Sequence, residues 1–237
     1  MATDIADLIS QVRRNLNEED EDLTNGYWSD DEIAFHIDKG ARDLWRAIND
    51  NYQNYFITVD ETNVSLAASS STLTGVPADV AILRGIEARS LSSRPGVVFE
   101  HRDYMHPDFQ RARSIATQDP SSGLKIFYDI HGAGAPTGAP TIRVAPQLNT
   151  ALTLSLIYVP TLTAITPDDT NPIPGESDAA LVAWATAYCL GKQSEDQQPD
   201  GTWMTIYGNE KKNILTSLTP RQTEDETIAE AFFEDLW

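Results

Sequence analysis

Helical periodicity is confined to the two ends of this chain, and residues 56–160 between them are patterned for strands. An α/β enzyme alternates strands with helices, so this order points instead to an α+β protein. Near the start, Ile5, Leu8, Ile9, Val12 and Leu16 recur at helical spacing, with Thr3 or Asp4 available as cap. Ser29 followed by Glu32 has the form of a capping box. Behind it, Ile33, Ile37, Ala41, Leu44, Trp45 and Ile48 form one face, with Asp38, Lys39, Arg42, Asp43 and Arg46 opposite. Towards the other end, Glu176-Ser177-Asp178 opens a third helix in which Leu181, Trp184, Ala185, Tyr188 and Cys189 suit deep packing. A break at Gln198–Gly201 precedes a fourth helix carrying Trp203, Ile206, Tyr207, Glu210, Ile214 and Leu218, which Thr219-Pro220 stops.

The middle is rich in Thr, Ser, Val, Gly and Pro. Phe56–Val59 and Asn63–Leu66 predict a short hairpin, and Val80–Ala88 a strand. Lys125–Ile130 places Ile126, Tyr128 and Ile130 on one side. Ile142–Ala145 and Ala151–Val159 read as a second hairpin across Pro146–Asn149. In the longer partner, Leu152, Leu154, Leu156 and Tyr158 alternate with Thr153, Ser155 and Ile157, the period of a half-buried antiparallel strand. His106–Ala116 predicts a short helix beside them.

The expected architecture is an antiparallel helical bundle built from both chain ends, residues 1–55 and 161–218. Residues 56–160 form an inserted, antiparallel, β-sandwich-like domain, and residues 219–237 an extended C-terminal tail.

Charge narrows the partners. The 237 residues carry a net charge of -19. Residues 1–32 hold ten acids against Arg13 and Arg14, and residues 219–237 hold six acids against Arg221. Such a balance opposes a grip on phosphate backbones, which needs clustered Lys and Arg. It suits a surface past which nucleic acid moves without sticking. No run approaches the roughly 18 apolar residues of a membrane span, and no membrane partner is expected. A single cysteine, Cys189, excludes an internal disulfide and reads as a small core residue.

Catalytic signatures are missing. The chain has no G-x-S-x-G, H-E-x-x-H or G-x-x-x-x-G-K-[ST] pattern. Gly132–Gly138 lacks the lysine and following helix of a phosphate cradle and reads as a loop. His36, His101, His106 and His131 are scattered, and the five-residue spacing of His101 and His106 fits no common zinc pattern. The acidic run Glu18–Asp22 lacks the alternating ligands and glycine of an EF-hand. No enzyme activity, cofactor or metal is expected.

Two groups of side chains read as interfaces. In the tail, Ile228, Phe232 and Leu236 are spaced by four, as are Phe233 and Trp237. A helix this short is marginal alone, so its apolar strip needs a partner, either its own bundle or a groove on another subunit. Tyr27, Trp28, Tyr52, Tyr55 and Phe56 flank the second helix and are candidates both for inter-subunit anchors and for capping the core.

Taken in order, several stretches resemble the head-to-tail adaptor (connector) proteins of tailed bacteriophages, in the longer form that carries a β insertion. They are Trp28-Ser29-Asp30-Asp31-Glu32-Ile33, Ala41-Arg42-Asp43-Leu44-Trp45, Leu156-Ile157-Tyr158-Val159-Pro160 and Ile173-Pro174. Ala180 through Tyr188, then Tyr207 and Leu218-Thr219-Pro220, complete the set. The resemblance implies a structural virion protein of the neck, present in the host cytoplasm during assembly. It implies a homo-oligomeric ring, usually of about twelve copies, beneath the portal protein. DNA would pass through its channel without specific binding, and a tail or nozzle protein would lie below. On this resemblance Ile228, Phe232, Phe233, Leu236 and Trp237 would clasp the portal. The alternative from a different class is a β-sandwich binding module that recognises a carbohydrate or host surface through exposed aromatic residues.

Overall fold

The computed structural model describes residues 3–18, 27–52, 55–88, 97–120, 123–132, 138–173, 175–194 and 198–218. These form an α+β protein with five α-helices and two open sheets among the described residues. The chain divides into two compact units, Met1–Tyr55 with Leu162–Trp237, and Phe56–Thr161.

The first unit holds α1 (Ile5–Asn15), α2 (Asp30–Asn51), α4 (Asp178–Gln193) and α5 (Gly201–Ser217). Its core is the union of their apolar stripes. Ile5, Leu8, Val12, Ile33, Ile37, Ala41, Leu44, Ile48, Leu181, Ala185 and Cys189 are fully buried. The α4 helix packs against α1, α2 and α5, which is why it is apolar almost all round. Ser29 caps α2 as expected, its Oγ accepting from Glu32 N at 3.2 Å. Asp4 occupies the N-cap of α1 without a side-chain cap bond, and Thr3 instead donates to Asp178 at 2.5 Å. Asn171, itself buried, donates to Ser177 Oγ at 3.0 Å and to Asp178 at 2.7 Å. The starts of α1 and α4 are thus tied by one polar network.

Two charged residues are buried in this unit, and the first corrects the expected solvent face of α2. Asp38 is buried, accepting from Arg42 Nε at 2.8 Å and from the backbone N–H of Ile165 at 3.2 Å. Arg13, 6% exposed, donates to Trp28 O at 2.8 Å and to Asp30 at 2.6 Å, joining the end of α1 to the start of α2.

The second unit contains β1 (Thr58–Asp60), β2 (Ser65–Leu66), β3 (Val80–Ala88), β4 (Val98–His101), α3 (Pro107–Arg113), β5 (Lys125–His131), β6 (Thr141–Ala145) and β7 (Leu152–Pro160). In one sheet β7 is the hub. The β1 and β2 strands run antiparallel along it, and β3 pairs antiparallel with Leu154–Pro160. Leu156–Tyr158 pair with both β1 and β3, so those two strands occupy opposite edges of β7. The other sheet has the order β4-β5-β6.

Both expected hairpins are corrected. The β1 and β2 strands pair with β7 and not with each other, while β6 pairs with β5 and leaves β7 to the other sheet. The connector between β6 and β7 is held elsewhere. Gln118 N donates to Gln147 O at 2.8 Å, Asn149 N to Gln118 O at 2.9 Å, and Leu148 is fully buried. The all-antiparallel expectation also fails at one pair: β4 and β5 are parallel, joined by the crossover that contains α3. One buried cluster draws on both sheets, with Ile86, Leu152, Leu154 and Leu156 beside Ile126, Tyr128, Ile142 and Val144. A smaller cluster seats Phe109 and Ala112 of α3 on Ala145.

Candidate functional site

A concavity in the first unit lies between α2 and α4. It is an open groove of about 400 Å³, lined by Phe35, His36, Lys39, Arg42, Asp43 and Arg46 of α2 and by Trp184 and Tyr188 of α4. Helical spacing assembles both walls. Residues 35, 39, 42 and 46 share one side of α2, and 184 and 188 lie one turn apart on α4. Gly40 lets the helices approach: a Cβ there would stand 2.9 Å from Trp184 Cγ.

The groove floor is aromatic. Trp184 and Tyr188 are 4.9 Å apart between ring centroids, Tyr188 stacks on His36 at 5.6 Å, and Tyr207 meets Trp184 edge-on at 4.8 Å. Phe35 is 54% exposed, with Lys39 Nζ 4.9 Å above its ring. The sequence reading placed Trp184 and Tyr188 in deep packing, whereas both are half-buried. Their partial exposure leaves aromatic surface open in the groove.

The rim is cationic. Lys211 donates to Asp43 at 2.6 Å and the Tyr207 hydroxyl donates to the same carboxylate oxygen. Burial works to raise the Asp43 pKa, but the hydrogen bonds from Lys211 and Tyr207 and the charges of Lys211 and Arg46 outweigh it and hold it below the usual value. Burial, followed by the bond to Asp43, pushes the Tyr207 phenol up. Desolvation lowers His36, only partly opposed by Glu32, so its ring favours the neutral form. This local excess of cations is out of character with its surroundings. The unit Met1–Tyr55 with Leu162–Trp237 holds twenty-seven acidic and nine basic residues, against nine and eight in Phe56–Thr161. Three of those nine line the groove and a fourth, Lys211, binds Asp43.

A second polar cluster sits in the β-rich unit. His101, Asp103 and Asp129 each bring one potential ligand atom within 4.8 Å of the others. The Asp129 carboxylate already accepts from Tyr104 N and Ile130 N, each at 2.8 Å, and lies 3.2 Å from His131 Nε2. Arg143 is its cross-strand partner. These bonds tie the β4–β5 corner together. Chain spacing compared His101 with His106 and missed Asp129, because the parallel pairing of β4 and β5 creates the neighbourhood. Cys189 is inert: burial foremost pushes its thiol up to about 12.

The five flanking aromatic residues have different fates. Tyr27 is 63% exposed and Tyr55 is 43% exposed, while Trp28 is buried beneath Lys192, whose Nζ lies 4.5 Å from the ring. Tyr52 is half-buried and its hydroxyl donates to Leu215 O; Phe56 is half-buried in the other unit. Ile228, Phe232, Phe233, Leu236 and Trp237 lie outside the described residues, as do most of the acidic run at Glu18–Asp22 and most of Gly132–Gly138. In the β-rich unit Phe56, Phe99, Tyr104, Phe109, Phe127, Tyr128 and Tyr158 are all buried or half-buried. No helix among the described residues is long and apolar enough to cross a membrane.

The family model described as SU10 adaptor protein matches residues 3–230. The match covers both helical segments and the β-rich unit between them. No curated protein sequence matches the chain.

Proposed function

The chain belongs to the SU10 adaptor protein family of phage head–tail adaptors, and on that premise we propose that it forms the ring joining the capsid portal to the tail. The family is a structural class and not an enzyme class, and it implies contacts with other head and tail proteins in the virion. The observation that carries the reading is the span of the match, which runs through α1, α2, the β-rich unit, α4 and α5 in order.

In this reading copies of the helical unit pack side by side as bundles around the DNA channel, and the two sheets close on each other as a sandwich. A heterologous ring needs two different patches on every copy. Exposed Tyr27 and Tyr55 supply candidates, and half-buried Tyr52 and Phe56 are two more. Trp28 contributes from beneath, as the support on which Tyr27 rests edge-on at 5.0 Å. The concentration of acidic residues in the helical unit supports a wall past which DNA slides, since it offers phosphates few counter-charges. The C-terminal segment, with Ile228, Phe232, Phe233, Leu236 and Trp237, is the arm that reaches the portal.

Native mass spectrometry of the chain alone and with DNA-filled, portal-bearing heads tests this. A ring of about twelve copies on the portal is the expected result. A chain indifferent to heads would overturn it.

A further inference from the structure

The groove between α2 and α4 has a shape and charge that match one segment of this same chain. Residues 221–237 carry Glu226, Glu230 and Glu234 at four-residue intervals, with Phe233 and Trp237 one turn apart. The groove offers Arg46, Lys39 and Arg42, the last already bonded to Asp38 through its Nε, at helical spacing over an aromatic floor.

Chain direction brings the two together. Tyr207 and Lys211 of α5 meet Asp43, and Leu215 meets Tyr52. The α5 helix therefore runs alongside α2 in the same sense and delivers the chain to the level of Tyr52 at the C-terminal end of α2. Pro220 forbids simple continuation of α5. A segment that turns back as a helix antiparallel to α2 spans about 26 Å over residues 221–237. That is the length of α2 from Tyr52 back to Phe35. In this register Glu226 comes level with Arg46, Glu230 with Arg42, Glu234 with Lys39, and Phe233 and Trp237 with Trp184 and Phe35.

We propose that the groove is the seat of the chain's own C-terminal segment, residues 221–237, in the unassembled protein. Acid-on-base pairs along the rim set the register, and aromatic contact on the floor supplies the apolar burial that so short a helix lacks alone. That the segment leaves the groove on assembly rests on the adaptor reading. Seating itself is a property of the free chain, measured without heads, so its failure and a failure of head joining are separate results.

The test uses the full chain and a fluorescein-labelled peptide of residues 221–237. A seated tail competes at the high effective concentration of a short tether. The full chain carrying Phe233→Ala and Trp237→Ala should therefore bind the peptide at least about tenfold more tightly than the unaltered chain. Adding Lys39→Glu and Arg46→Glu, both at exposed positions, should abolish that binding. A peptide with Glu226→Arg and Glu234→Lys should restore it. Circular dichroism checks that each variant is folded. Equal peptide affinity for the unaltered and tail-altered chains would overturn the proposal, as would binding that survives the charge reversal. Light scattering adds a further arm: a chain whose groove closes only as it self-associates would assign the seat to a neighbour's tail and overturn the assignment to its own.

Discussion

A Cβ on Gly40 would stand 2.9 Å from Trp184 Cγ, closer than real side-chain contacts come. Gly40→Ala gains up to about 1 kcal/mol of helix propensity. It costs about 1–3 kcal/mol in overpacking, because the contact falls on the root of the indole and not on a flexible tip. A net loss of about 1 kcal/mol is expected in urea unfolding, with a groove altered by the displaced ring. A variant more stable than the parent would show that α2 and α4 do not approach as described.

Asp43 makes stability depend on acid. A carboxyl whose folded pKa is depressed stabilises the fold above its unfolded pKa, and that contribution disappears as pH falls through the folded value. The loss is expected below about pH 4. Asp43 is substantially exposed and its ion pair is screened, so the contribution is at most about 1 kcal/mol. Asp43→Asn should lower stability at pH 7 and leave a flatter stability profile as pH falls below about 4. Unfolding curves of parent and variant that stay parallel through this window would remove Asp43 as the source.

Arg13 is the opposite kind of ion pair. Its side chain is 7% exposed and its bond to the Trp28 carbonyl is buried, while the Asp30 carboxylate it also holds is 46% exposed. Arg13→Leu leaves that buried carbonyl and the carboxylates of Asp30 and Glu18 without their donor and should cost about 1–3 kcal/mol. Arg13→Lys, which keeps the charge but not the two-pronged geometry, should recover part of the loss. A Leu variant within about 0.5 kcal/mol of the parent would mean that water replaces the guanidinium.

What the sequence made legible depended on how local the signal was. The Ser29 cap and the stripe from Ile33 to Ile48 describe α2 because helix bonds and caps lie within a few residues. Val80–Ala88 was read as a strand with the bounds that β3 has. Strand partners were not legible, because alternation shows which face is buried and says nothing of which strand lies alongside. Hence β6 and β7, adjacent in sequence, were assigned to each other although Leu148 carries the chain from one sheet to the other. The groove was missed for a related reason. In an α4 helix apolar nearly all round, Trp184 and Tyr188 look like their fully buried neighbours Ala185 and Cys189. The available hint lay on α2, where Phe35 interrupts the polar side beside Lys39.

The C-terminal segment supplies the most direct test of assembly. Ile228, Phe232, Phe233, Leu236 and Trp237 follow α5 in the sequence, and α1, α2, α4 and α5 among the described residues already form a buried core of their own. Deleting residues 221–237 should therefore leave a cooperatively folded chain, with an unfolding midpoint lowered by the loss of the segment's seat on the groove. The same deletion removes the aromatic groups proposed to reach the portal, and the truncated chain should no longer join portal-bearing heads, as counted by electron microscopy. Restoring Phe232, Phe233 and Trp237 within an otherwise polar segment of the same length should recover part of the joining, since aromatic anchors dominate such contacts. Joining that proceeds unchanged without the segment would place the portal contact on the helical unit itself, with Tyr27 and Tyr55 as the next residues to replace.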